Sequence, residues 1–380
     1  MQVHALNAPD SVLRLEEWQA GSHRIAVAIL NNEKTLNALS LPMVEILAPQ
    51  LTRWAADPEV AMLWLGGAGD RALAAGGDVQ ALYAAIARNH AAGQQIDDYA
   101  ERFFEAEYRL DFQLHTFPKP VLGWGHGVVM GGGLGLLSAA SHRVVTERAR
   151  IAMPEVTIGL FPDAGATWLL RNAEPAWAAW LGLSGAHMNQ ADAVALRLGQ
   201  YPLPSSTRET VQQELCAVSW SAEPEANAAR LDTLLRRHVV VPDPASSALV
   251  KHRAALSAAL VPLPQNAAEA LQRLALLPKD DDYLAKGVAA ATHGSPTTVA
   301  LVLEQLRRST TLSLAECFRL ELVVAVHCAR NKEFMEGVRA LLIDKDNAPK
   351  WTYADAQTLP RDWVESYFVP PWPTHPLQDL

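Results

Sequence analysis

Between Val121 and Ala140 the chain runs for twenty residues without a formal charge, and seven of those residues are glycine. A stretch of that length and polarity has the reach to span a bilayer. Glycine at this density weakens a continuous helix, because each one gives up more conformational freedom on ordering than any other residue. The segment therefore reads as a short strand, a turn and a small-residue helix rather than a membrane span.

On either side of it, short apolar runs alternate with helical periodicities, as in βα units. Arg24 to Leu30 is predicted as a strand, Pro42 to Ala56 as a helix, Ala61 to Leu65 as a strand and Val79 to Arg88 as a helix. Asp97 to Thr116 is a longer helix with Phe103, Phe104, Tyr108 and Phe112 at helical spacing, and Val121 to Trp124 is the next strand. Parallel strands joined by helical crossovers follow from this order. After Tyr201 the pattern is helical, with Ser206–Val218 and Glu223–Val240 as further helices. Ser295-Pro296 starts a helix to Arg307 with an N-cap and a proline at the first position, and Ser313 with Glu316 forms a capping box for a helix to about Arg330. The expected fold class is α/β, with a core over 1–204 and a mainly helical C-terminal region over 205–380.

Composition removes several function classes. Hydrophobic residues make up 49% and charged residues 19% of the 380, which excludes wholesale disorder. A net charge of −9 without a basic patch argues against a nucleic-acid partner. Cys216, Cys317 and Cys328 form no CxxC pair, and the last two lie apart along one predicted helix, so no disulfide framework is expected and a reducing cytoplasm is the default compartment. The amino terminus, with its acidic residues and no apolar core of signal length, reads as mature protein.

No GxSxG elbow, HExxH pair or GxxxxGK[ST] loop is present. Gly67-Ala-Gly69-Asp-Arg-Ala72 satisfies GxGxxA, but no strand-end acid follows about twenty residues on, so a plain glycine turn is preferred. Three elements carry more. In Ala74-Ala75-Gly76-Gly77-Asp78, two glycines precede a helix; the Gly77 amide could face an anion, or Asp78 could simply cap the helix. Gly131-Gly132-Gly133-Leu134-Gly135 is a second glycine run entering a helix, explained either by amide donation or by close packing. Pro154-Glu155 and Pro162-Asp163 place two acids eight residues apart among Met153, Ile158, Leu160 and Phe161, surroundings that raise carboxylate pKa values toward acid/base range.

In the order LNNEKTLNAL, AAGGDV, KPVLGWGHGVVMGGGLGL and AMPEVTIGLFPDAG, these elements resemble the enoyl-CoA hydratase/isomerase (crotonase) superfamily. Within it the chain is similar to the 3-hydroxyisobutyryl-CoA hydrolase branch, whose C-terminal region has a segment like Glu336-Gly-Val-Arg339-Ala-Leu-Leu-Ile343-Asp-Lys-Asp346. The resemblance implies a crotonase-like spiral of ββα units. It also implies that the amides of Gly77 and Gly132 form an oxyanion hole for a thioester carbonyl, with Glu155 as the catalytic glutamate and Asp163 as the hydrolase's second acid. Glu107 falls on a further substrate-contacting acid, against the plain alternative of a solvated helix glutamate.

One departure bears on the reaction. Hydratases of this superfamily hold water between two glutamates, the first of them at the position of Gly135 here, and generally have glycine where this chain has Asp163. The expected activity is hydrolysis of a short branched 3-hydroxyacyl-CoA, with 3-hydroxyisobutyryl-CoA as the substrate of choice and Glu107, Gly132, Glu155 and Asp163 in contact with it. A hydratase or isomerase using Glu155 alone and a non-catalytic acyl-CoA-binding protein are the competing readings. The expected partners are an acyl-CoA substrate, neither nucleic acid nor membrane, with homo-oligomerisation left open. No metal or redox cofactor is expected, coenzyme A being part of the substrate.

Overall fold

The computed structural model describes residues 2–380. The uncharged glycine-rich stretch resolves into the buried strand Val121–Gly125, a second strand Val128–Met130 and the helix Gly132–Ala139. Burial, and then the charge of Arg208, pushes His126 down to about 4, which favours the neutral imidazole. Among the described residues no helix is long and apolar enough to cross a membrane.

Seven strands form one sheet in the spatial order Val3–Ala5, Leu13–Ala20, His23–Leu30, Val60–Gly67, Val121–Gly125, His142–Thr146 and Tyr201–Leu203. The first two pairings are antiparallel and the rest parallel. Ala72–Ala74, Val128–Met130 and Arg150–Ala152 form a second, three-stranded sheet. Successive stretches of chain thus give one strand to each sheet and then enter a helix, as in Val121–Gly125, Val128–Met130, Gly132–Ala139: the expected spiral of ββα units. Leu13–Ala20 was not anticipated; its buried and less buried positions largely alternate, as in a strand with one face on the core. The GxGxxA match leads into the strand Ala72–Ala74 and not into a helix, so it is a turn. Asn37 ties that turn, its amide nitrogen donating to the carbonyls of Ala68 at 3.0 Å and Ala72 at 2.9 Å.

The chain forms two compact units that interleave in sequence. The first comprises Met1–Gly77, Leu110–Ile151 and Met188–Ser247, the second Asp78–Arg109, Ala152–His187 and Ala248–Leu380. In the first unit Trp64 stacks on Trp124 at 5.4 Å and meets Trp18 at 5.6 Å. Leu215, Trp220, Leu231, Leu234 and Leu235 join the same buried cluster, so the helices Arg208–Ala217 and Pro224–Arg236 help to build the core that covers the sheet. In the second unit Ser295 caps Pro296–Arg308, and Ser313 with Glu316 closes a reciprocal capping box on Leu314–Arg330, both as predicted. The helix Lys332–Val338 lies against the short 3₁₀ turn Pro154–Ile158: a Cβ on Gly337 would come within 2.3 Å of the Ile158 carbonyl carbon, and one on Gly159 within 2.3 Å of the Glu333 oxygen.

Candidate active site

The two glycine runs come together in the first unit. Their preceding strands, Ala72–Ala74 and Val128–Met130, pair in parallel. A Cβ on Gly76 would stand 3.6 Å from the Met130 oxygen and 3.9 Å from the Gly131 Cα, and one on Gly133 would be 2.4 Å from the Ala74 oxygen. Gly76 at φ 108 and Gly131 at φ 46 make turns that a side chain would disfavour. Close packing therefore explains Gly133, and the turns at Gly76 and Gly131 stand immediately before Gly77 and Gly132. Leu39 takes the Gly76 carbonyl at 2.8 Å, and Gly132 begins its helix, where an amide has no acceptor within the helix. Asp78 does cap its own helix, accepting from the Ala81 amide at 3.1 Å.

The carboxylates lie in the second unit. Glu155 sits in the 3₁₀ turn Pro154–Ile158, where Pro154 supplies the first-turn φ and Gly159 at φ 68 ends the turn. It is 4% exposed, and its Oε2 has no hydrogen-bond partner, an uncompensated acceptor of the kind that native proteins rarely bury without use. Burial, then the charge of Asp163, pushes its carboxyl well above the usual carboxylate range. Asp163 is also buried and accepts the Tyr108 hydroxyl at 2.6 Å. Burial pushes Asp163 up to about 6, against the opposing pull of that tyrosine. Glu107 is 3% exposed, so the solvated-helix reading of it fails.

Three polar residues around Asp163 carry no signal of their own in the sequence. In the sequence Tyr108 is one of four aromatics at helical spacing; in the fold it supplies a hydroxyl to Asp163. Glu321 accepts the amides of Gly165 at 2.8 Å and Thr167 at 2.9 Å, immediately after Asp163. In the sequence it is a lone acid within the apolar run Leu320 to Val326 of a helix. Gln305 holds the same loop from its other end, donating to the Pro162 carbonyl at 2.5 Å and the Thr167 hydroxyl at 2.7 Å. Among the described residues no group of three or more His, Cys, Asp or Glu has a metal-holding arrangement.

Residues 25–368 match the enoyl-CoA hydratase/isomerase family. The chain is 31% identical to a mitochondrial 3-hydroxyisobutyryl-CoA hydrolase from Gallus gallus, over 97% of this chain and 90% of that protein. It is 33% identical to a protein of the same name from Rattus norvegicus, over 90% and 86% respectively. A solved structure described as a carnitinyl-CoA dehydratase from Mycobacterium thermoresistibile superposes with a TM-score of 0.83 at 29% identity, covering 98% of this chain and all of the other. The spiral of ββα units, the paired glycine turns and a family match over most of the length agree: this chain is an enzyme of the enoyl-CoA hydratase/isomerase (crotonase) family.

Proposed function

We propose that this enzyme hydrolyses a short branched 3-hydroxyacyl-CoA, 3-hydroxyisobutyryl-CoA before others, to the free hydroxy acid and coenzyme A. The observation that carries the reading is Asp163, a buried carboxylate held by Tyr108, in a chain that has Gly135 where a two-glutamate hydration mechanism needs an acid. Relatives named as 3-hydroxyisobutyryl-CoA hydrolases, matched over most of both lengths, support it.

In this reading the amides of Gly77 and Gly132 stabilise the oxyanion that develops on the thioester carbonyl, the contribution that usually weighs most in acyl transfer. Glu155, as the anion, either attacks that carbonyl to give a mixed anhydride and free thiolate, which water then resolves, or removes a proton from the attacking water. Either route consumes one water and yields one carboxylate and one thiol. Asp163 accepts a hydrogen bond from the substrate's 3-hydroxyl, and Glu107 adds a further contact to the acyl portion. The chemistry calls on no metal or redox cofactor. For the compartment, the unpaired cysteines favour a reducing one, here taken as the cytoplasm, while the two vertebrate relatives are named as mitochondrial.

The dehydratase description of the solved neighbour favours a second reading, hydration or dehydration at the α,β bond with Glu155 alone. Free-thiol release from a panel of 3-hydroxyacyl-CoA thioesters, run beside hydration of crotonyl-CoA, separates the two. Thiol release that is greatest for 3-hydroxyisobutyryl-CoA is expected; hydration of crotonyl-CoA without thiol release would sink the hydrolase reading.

A further inference from the structure

Glu321 has no part in the mechanism above, yet it is wholly buried in the middle of the helix Leu314–Arg330. Burying a carboxylate is costly unless its oxygens are satisfied. Here the compensation is divided: Oε2 takes the Gly165 amide at 2.8 Å and Oε1 the Thr167 amide at 2.9 Å. The Gly165 amide belongs to the turn that leaves Asp163, and the Thr167 amide to the first turn of the helix Ala166–Arg171 into which it leads. The turn is an unfavourable one, with Ala164 at φ 53 in the left-handed region that a residue with a Cβ avoids, followed by Gly165 at φ 84. Such a conformation persists where its surroundings over-determine it, and residues held this way cluster at functional sites. The surroundings are three polar side chains from three helices: Tyr108 on the Asp163 carboxylate, Gln305 on the preceding Pro162 carbonyl, and Glu321 on the following amides.

We propose that Glu321 is a positioning residue for Asp163, fixing through the Gly165 and Thr167 amides the turn from which Asp163 meets the substrate's 3-hydroxyl. The proposal rests on the hydrolase reading and on the role given there to Asp163. An apolar residue at 321 would fill the same space and leave both amides without an acceptor, so filling the core is not a sufficient account of a carboxylate there.

The test is a double-variant cycle on the full chain: wild type, Glu321→Gln, Asp163→Asn and the double variant. The readout is kcat/KM for thiol release from 3-hydroxyisobutyryl-CoA divided by that for isobutyryl-CoA, with thermal unfolding measured alongside. Gln at 321 keeps one acceptor and turns an amino group toward the other amide. Glu321→Gln is expected to lower the ratio at least about fivefold, in the same direction as Asp163→Asn. The double variant is expected to stay within about twofold of Asp163→Asn, since both losses act through one carboxylate. Equal losses on both substrates, or a ratio in the double variant that falls by the product of the single effects, would overturn the proposal and leave Asp163 in place. A ratio unchanged by Asp163→Asn would overturn the role of Asp163 and the proposal with it. If Glu321→Gln does not fold, Glu321→Asp, which retracts the carboxylate by one methylene, is judged by the same outcomes.

Discussion

A buried carboxylate that accepts a tyrosine hydroxyl is held as an acceptor, and this makes Asp163 sensitive to pH in a defined direction. Burial raises it to about 6 while the Tyr108 hydroxyl pulls it down, so the anion is present above about 6 and lost as pH falls through that value. A neutral acid gives a weaker bond to the substrate's hydroxyl than the anion does. With Asp163 on the 3-hydroxyl as proposed, any preference for 3-hydroxyacyl over plain acyl thioesters is therefore expected to decline below about pH 6. Tyr108→Phe removes the downward pull, so the decline should move to higher pH; a profile that does not move, or moves to lower pH, removes Tyr108 from the site. For Glu155, Gln keeps the volume and removes the charge that either mechanism needs. Turnover is expected to fall by at least a few hundred-fold with substrate binding kept, as judged by kcat against a binding titration. Near wild-type turnover would exclude Glu155. The two acids were legible in the sequence because each follows a proline in an apolar segment. Tyr108 and Glu321 were hidden, because an aromatic at helical spacing and an acid in an apolar helix gain meaning only from what the fold places opposite them.

At the scale of elements, what holds Glu155 in place is a helix far along the chain. Lys332–Val338 packs on the 3₁₀ turn of Glu155 through Gly337, and a methyl there would meet the backbone of Ile158 at 2.3 Å. Backbone cannot yield as a flexible side chain can, and small displacements of a reacting group are costly to rate. Gly337→Ala is expected to reduce kcat by roughly tenfold or more with a destabilisation of about 1–3 kcal/mol by denaturant titration. Unchanged kcat with lowered stability would make the contact purely structural. The sequence showed Gly337 within a recognisable C-terminal segment. Its function as a close contact for Ile158 came from the packing, since no local pattern links residues so far apart.

For the whole molecule, the interleaved units predict where the chain can be cut. A chain ending at residue 204 loses Leu215, Trp220, Leu231, Leu234 and Leu235 from the cluster under the sheet. Truncating large core side chains costs several kcal/mol each, and net stabilities are typically about 5–15 kcal/mol. That fragment is expected to be insoluble or to bind ANS without a cooperative melt; a cooperative transition near that of the full chain would show 1–204 to be a self-sufficient core. The sequence by itself determined the strands and helices from Arg24 to Trp124, the glycine-rich turn and helix that follow, and the capping of the two long C-terminal helices, and it marked the candidate acids and glycines, because periodicity, caps and post-proline acids are written within a few residues. Only the tertiary structure decided that the two glycine turns lie side by side, that residues 205–247 complete the core of the sheet, and that Tyr108, Gln305 and Glu321 surround the Asp163 turn. Those facts depend on pairings between distant segments, which are chosen by burial and by hydrogen bonds that exist only once the chain has folded.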